Sequence, residues 1–368
     1  MVEWKKLDTL LDFEQPTSYL VKSTEYDDSY DIPVLTAGQS LLLGYTNETD
    51  GIYKASKDNP TIIFDDFTTS FHWIDFDFKV KSSAMKMLRP KKDVNFRYVY
   101  YSMCGINFVP GGHQRHWISK YSQFEIPMPS LSEQKRIVGI LDTFTASIEN
   151  LKQQITQRRK QYEHYRDQLL DLEGKEGVEM KTIGNIAKYR RGSFPQPYGN
   201  IEWYDGEGAM PFVQVADVEE NGMRLKRNTK QFISRLAMPK SVFAPLGTIL
   251  VTLQGSIGKV AITQYDSYVD RTLGIFESFK IDINKKFFAH QLEKIFSVKK
   301  EKARGGTIKT ITKEEFTNFI IPLPSFKEQQ RIVCILDTFE ASIANLEAQL
   351  KEREKQYEYY RNKLLIFE

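Results

Sequence analysis

The feature that most constrains this chain is that it repeats itself. Residues 124–170 match residues 319–365 without a gap at a constant offset of 195, and about 30 of the 47 aligned pairs are identical. A fainter echo opens each half, where Val2, Glu3, Trp4 and Lys5 resemble Val178, Glu179, Met180 and Lys181. The chain is therefore a tandem of two halves, each with a globular part of about 120–145 residues ahead of the repeated segment. Within the first copy, apolar or aromatic residues fall at Ile137, Leu141, Phe144, Ile148, Leu151, Ile155, Tyr162, Tyr165 and Leu169. The second copy carries Ile332, Leu336, Phe339, Ile343, Leu346, Leu350, Tyr357, Tyr360 and Leu364, and in each only an arginine, Arg158 or Arg353, interrupts the alternating spacing of four and three. That spacing is a heptad seam.

Each helix has a start signal. Ser130 with Glu133, and Ser325 with Glu328, fit a capping box placed directly after Pro129 and Pro324, and the Pro-x-Pro ahead of it ends the preceding strand or loop. About 38 helical residues at 1.5 Å each predict a rod of roughly 55–60 Å. The linker then chooses a direction: only residues 171–177 separate the first helix from the second half, a reach of less than about 30 Å. The second globular part must begin near the far end of the first helix, and its own helix most simply runs back. A parallel, in-register pair would also set Arg158 against Arg353 across an apolar seam, which is costly when desolvated. An antiparallel pair is expected.

Composition narrows the class. With 368 residues, 41% hydrophobic, 13% aromatic and 27% charged, the chain is folded and large enough for two cores. Glu3, Lys5, Lys6, Asp8 and Asp12 leave no apolar core for a signal peptide, and no stretch is long enough to span a membrane. Cys104 and Cys334 lie far apart and form no metal-type pair, which fits a reducing cytoplasm. The formal charge is only +3, so either basic groups are concentrated on one face or another subunit supplies phosphate contacts.

Ile126-Pro127-Met128-Pro129-Ser130 with Glu133-Gln134 and Ile137-Val138, and Ile321-Pro322-Leu323-Pro324-Ser325 with Glu328-Gln329 and Ile332-Val333, resemble the specificity subunit of type I restriction-modification enzymes. The resemblance extends along the whole chain, as variable domain, helical spacer, variable domain, spacer. It implies an α+β fold with two strand-rich target-recognition domains separated by a long antiparallel two-helix coiled coil: recognition domain 1 over 1–125, spacer helix 1 over 126–173, recognition domain 2 over 174–320 and spacer helix 2 over 321–368. It implies a non-catalytic chain that reads a bipartite double-stranded DNA target through two half-sites with an unread spacer. The partners implied are two methyltransferase subunits, which modify adenine with S-adenosylmethionine, and endonuclease/translocase subunits. No cofactor is expected in this chain itself. The competing expectation is a coiled-coil scaffold whose two heads bind other ligands.

The heads supply candidate DNA contacts. In the first, short apolar runs at 33–38, 41–46, 62–71 and 78–88 predict strands. Lys79, Lys81, Ser82, Ser83 and Lys86 combine phosphate donors with small hydroxyls, and the glycine-containing loop 111–116 offers His113, Gln114 and Arg115 as base-edge donors. Asp65 and Asp66 lack a catalytic partner cluster and suit structural hydrogen bonds or acceptance from a cytosine amino group. His113 and His116 lack a fourth ligand, so no metal is expected. In the second head the candidates are Arg190, Arg191, Gln254, Ser256, Lys259, Arg304, Gly305, Gly306 and Lys309. The last four lie in 299–310, read as a basic loop equivalent to 111–116. Residues 253–260 fail as a phosphate loop, because Leu253 replaces the first glycine and Val260 follows the lysine, and they predict a tight turn between strands. An adenine-methyltransferase Asn-Pro-Pro-Phe/Tyr motif is absent, since Asn59-Pro60 is followed by Thr61.

Overall fold

Each half of the chain begins and ends on the same two-stranded ribbon. The computed structural model describes residues 2–36, 38, 40–112, 114–220, 222–302 and 311–367. In the first half, β1 (Glu3–Lys6), the single turn α1 (Leu7–Leu10), β2 (Leu11–Glu14), β3 (Ile32–Leu35), β4 (Leu42–Thr46), β5 (Thr61–Asp65), β6 (Phe71–Ile74), β7 (Lys79–Val80), β8 (Met85–Pro90), α2 (Phe96–Met103) and β9 (Glu125–Met128) precede the long helix α3 (Leu131–Leu170). The second half runs β10 (Glu179–Thr182), α4 (Ile183–Ile186), β11 (Ala187–Arg191), β12 (Met210–Val213), β13 (Gln231–Ile233), β14 (Val242–Ala244), β15 (Ile249–Thr252), β16 (Val260–Ile262), β17 (Ser267–Val269), β18 (Leu273–Phe279), α5 (Lys285–Lys302), α6 (Lys313–Thr317), β19 (Ile320–Leu323) and α7 (Phe326–Leu365).

The Ile-Pro-x-Pro segment is itself a strand. β9 pairs antiparallel with β1, setting Trp4 opposite Pro127, and β19 pairs with β10, setting Met180 opposite Pro322. Proline cannot donate to a ladder and is confined to edges, which a two-stranded ribbon provides. The two weak echoes of the sequence are thus the partner strands of the two strong ones.

The heads, which share little sequence, share a topology. The first contains an antiparallel sheet of order β2-β8-β5-β6 and a second sheet of order β4-β3-β7 with β3 and β7 parallel. The second contains β11-β18-β15-β16 and β13-β12-β17-β14 with β12 and β17 parallel. Single bonds correspond as well: the Asp66 N–H donates to the Ala84 carbonyl at 3.0 Å, as the Leu253 N–H does to Thr272 at 2.9 Å.

Contact clustering divides the chain into one compact unit of Met1–Lys152 with Ala348–Glu368 and another of Gln153–Glu347. Each long helix is therefore divided between the units instead of forming a domain of its own. In the first unit, Phe144 stacks on Tyr360 with centroids 5.3 Å apart and Lys152 lies 3.6 Å from Glu354, so the two helix segments run antiparallel. In the second, Arg159 bonds Glu347 at 2.6 Å while Tyr165 stacks on Phe339 at 5.5 Å, again antiparallel. Each arginine of the seam lies over an aromatic ring of the facing helix segment: Arg158 sits 5.9 Å over the Phe339 ring and Arg353 5.7 Å over Phe144. The capping boxes are half formed. Ser130 and Ser325 Oγ accept the N–H of Glu133 and Glu328 at 3.3 Å, but those carboxylates grip Arg136 and Arg331, while Gln134 and Gln329 donate back to the carbonyls of Pro129 and Pro324.

A further repeat joins each head to its helix. Asp93-Val94-Asn95-Phe96-Arg97 before and into α2 corresponds to Asp282-Ile283-Asn284-Lys285-Lys286 at α5. Asn95 and Asn284 both cap their helices, and the basic residue two places on reaches equivalent aspartates: Arg97 to Asp142 at 2.8 Å, and Lys286 to Asp337. Tyr101 donates to Asp142 from the position that His290 occupies on α5. Burial, then the charges of Lys286 and Arg166, pulls the His290 imidazole down to about 3. It stays neutral in the fold and takes up a proton near pH 6.5 only when unfolded, so the stability it permits is present above that pH and is lost as pH falls toward 3. The second head is expected to be about 2 kcal/mol less stable at pH 5 than at pH 7 from this group alone. His290→Phe should flatten that dependence in urea melts followed by amide exchange within α5.

Candidate nucleic-acid interface

Three turns of the first head meet at one buried carboxylate. Asp66 ends the β5 side of the hairpin, where the neighbouring Asp65 Oδ1 accepts the N–H groups of Phe67 and Thr68 at 2.8 and 3.0 Å. The Asp66 Oδ1 accepts the Trp117 N–H at 2.7 Å, its Oδ2 lies 3.0 Å from Lys86 Nζ, and its carbonyl accepts the His116 N–H at 2.8 Å. With its N–H on Ala84, Asp66 ties the hairpin turn 66–70, the β7–β8 turn 81–84 and the segment 114–117 together. Lys81, Ser82, Ser83, Gln114 and Arg115 are exposed on these turns, with Lys81 Nζ 5.7 Å over the Tyr26 ring. The carboxylates serve structure, the first of the two roles open to them.

Two of the predicted DNA contacts are corrected. Lys79 and Lys86 are each only 1% exposed. Both strands are buried on both faces at these positions, where Lys79 pairs with Glu48 at 3.0 Å and donates to the Asp50 carbonyl at 2.6 Å, and Lys86 pairs with Asp66 and donates to Gln15 at 3.1 Å. A buried ammonium stays only if it is paired, so neither is free for phosphate. Burial pushes the Glu48 carboxyl up, but bonds from the Ser23 N–H, Lys79 and the Lys22 N–H outweigh it and hold it below the ordinary range.

In the second head the equivalent turns are 253–259 and 270–272. Gly255 and Gly258 have φ of +70° and +81°, as the tight-turn reading required, and a Cβ on Gly258 would lie 2.5 Å from the Phe296 side chain. Gln254 is half-buried and Ser256 exposed, one and three residues past Leu253, which is bonded to Thr272. Arg190 is half-exposed and 3.7 Å from Glu277, Arg191 donates to the Ile311 carbonyl at 3.0 Å, and Lys259 is tied to Glu220. Tyr189, Arg190, Arg191, Leu253, Ile311 and Thr312 line a small pocket at this edge. Residues 299–302 belong to helix α5 and are not loop, a second correction: lysine and glutamate are good helix formers, so the basic run begins inside the helix. His113, Arg304, Gly305, Gly306 and Lys309 lie outside the described residues.

Sequence reasoning missed Arg271, on the turn equivalent to Ser82 and Ser83. It stands in no basic cluster, and the only local signal is the Asp270-x-Thr272 spacing of an Asx turn. Among the described residues no group of three or more His, Cys, Asp or Glu is arranged to hold a metal ion, and no helix is long and apolar enough to cross a membrane.

Two topologically equivalent heads, each closed by a ribbon that feeds one of two antiparallel helices and each presenting clustered polar turns, define a tandem two-headed recognition protein. The sequence matches the type I restriction modification DNA specificity domain twice, over residues 1–158 and 175–355, and the chain belongs to that family of specificity subunits. It is 42% identical over 389 residues to the type I restriction enzyme EcoR124I/EcoR124II specificity subunit of Escherichia coli, covering 100% of this chain and 94% of that one. It is 28% identical over 390 residues to a putative type I restriction enzyme specificity subunit of Haemophilus influenzae, covering 100% and 96%. The fold is similar to a crystal structure of a type I restriction-modification S subunit from M. genitalium, with TM-score 0.63, 17% identity and coverage of 100% and 97%.

Proposed function

We propose that this chain recognises a split double-stranded DNA target, one half-site for each head, and carries two methyltransferase subunits and the endonuclease subunits of a type I system in the cytoplasm. The observation that carries the reading is the duplication at two levels: two near-identical helices pair antiparallel, and two heads of one topology present different side chains at the same turns. Equivalent frames with unlike residues suit two readers of different sequence. Base edges in the major groove would be read by the exposed turn residues, and the length of the helices would set the unread base pairs between half-sites. The methyltransferase partner would hold S-adenosylmethionine, and this chain would supply position and sequence preference. Gel shifts of the complex assembled with its methyltransferase test this: binding should prefer a split motif over random duplex and fall steeply with salt. Binding with no sequence preference would sink it.

A further inference from the structure

We propose that Arg271 reads a guanine in the half-site of the second head, an inference that rests on the reading above. Arg271 lies on the turn between β17 and β18 and is exposed, with its guanidinium carbon 5.2 Å over the Tyr198 ring. Its neighbour Asp270 is only 3% exposed and has both oxygens committed. Oδ1 accepts the Thr272 N–H at 2.9 Å and the Thr272 hydroxyl at 2.6 Å, and Oδ2 accepts the Tyr198 hydroxyl at 2.6 Å. The Asp270 N–H donates to Val213 at 3.0 Å. One carboxylate thus fixes both the turn that carries the arginine and the ring beneath it. Tyr198 is stacked in turn on Phe194, centroids 5.0 Å apart. The strand that leads to this platform passes so close to the turn that a Cβ on Gly192 would lie 2.2 Å from the Val269 carbonyl oxygen, so only glycine admits it.

Three of the other basic candidates of this head are occupied: Arg190 faces Glu277, Lys259 is bound to Glu220, and Arg191 donates to a carbonyl. Arg271 forms no ion pair among the described residues, and its five donors are open. A phosphate contact needs only a nearby positive charge and tolerates a mobile side chain. A guanidinium held over a fixed ring is instead pre-organised for the two parallel bonds that guanine O6 and N7 accept in the major groove, and it loses less rotamer freedom on binding. The corresponding turn of the first head carries Ser82 and Ser83, so the two heads would differ here in the base they select.

The test is methylome sequencing of cells expressing the full chain, wild type or variant, with its methyltransferase partner. Arg271→Ala and Arg271→Met should each keep one half-site and the spacer, while a single guanine of the other half-site becomes degenerate, its preference falling by roughly 5- to 150-fold. Tyr198→Phe, which keeps the ring and frees one Asp270 oxygen, should weaken the same guanine preference by less. Unchanged letters in the methylome would overturn the proposal, and uniformly weaker binding in gel shifts of the same complex with a salt slope lower by about one would identify a phosphate contact instead. A wild-type methylome without any split motif would instead sink the reading on which it rests. Variants are compared only where their melting matches the wild type, with Arg271→Met retaining the packing over Tyr198 if Arg271→Ala fails to fold.

Discussion

Replacing Asp66 by alanine is expected to destabilise the first head by about 3–5 kcal/mol, the range for leaving one member of a buried ion pair without its partner. Lys86 would remain 1% exposed with only the Gln15 amide oxygen to accept from it, and the Trp117 N–H would lose its acceptor. Asp66→Leu combined with Lys86→Met should recover most of the loss, since removing both charges deletes the desolvation cost along with the attraction. Urea denaturation of the two single variants and the double variant measures the coupling, and additive losses would show that the pair is not the cause. Because Asp66 holds three turns together, Asp66→Ala should also blur the half-site read by the first head while the other half-site keeps its letters.

Shortening the paired helices by one heptad, through deletion of 149–155 and 349–355, is expected to change the spacing of the DNA target and not its letters. Seven residues at 1.5 Å remove about 10.5 Å, close to three base pairs at 3.4 Å each, so the unread spacer should contract by about three. The deletion keeps Phe144 in register with Tyr360 and Tyr165 with Phe339, because each helix loses a whole heptad. Methylome sequencing with the methyltransferase partner reads the result. Altered half-site letters would contradict the division of labour between helices and heads, and an unchanged spacer would remove the helices from any measuring role.

Both expectations divide the proposed function between helices and heads. The helices are interchangeable in sequence, and the heads are interchangeable in fold but not in surface. On the proposed reading, specificity would change by substitution at the turns without disturbing the ribbons, the Asn95 and Asn284 caps or the Arg97 and Lys286 anchors that seat each head on its helix.

What the sequence by itself determined is the helical frame. Heptad spacing and serine caps act over one to three turns, so helix extent and the apolar seam can be read from the chain, and the short linker 171–177 with the placing of Arg158 and Arg353 indicates the direction of pairing. The tertiary structure alone decided which of the candidate side chains are exposed and which are buried. Lys79 meets the Asp50 carbonyl and Lys86 meets Gln15 across 29 and 71 residues, and these contacts, with the ion pairs to Glu48 and Asp66, hold two apparent phosphate donors in the core. Strand ladders are built from backbone groups common to all sequences, which is why two heads with so little in common could share one topology unseen. Arg271 became visible only when Asp270, Tyr198 and Gly192 were brought around it.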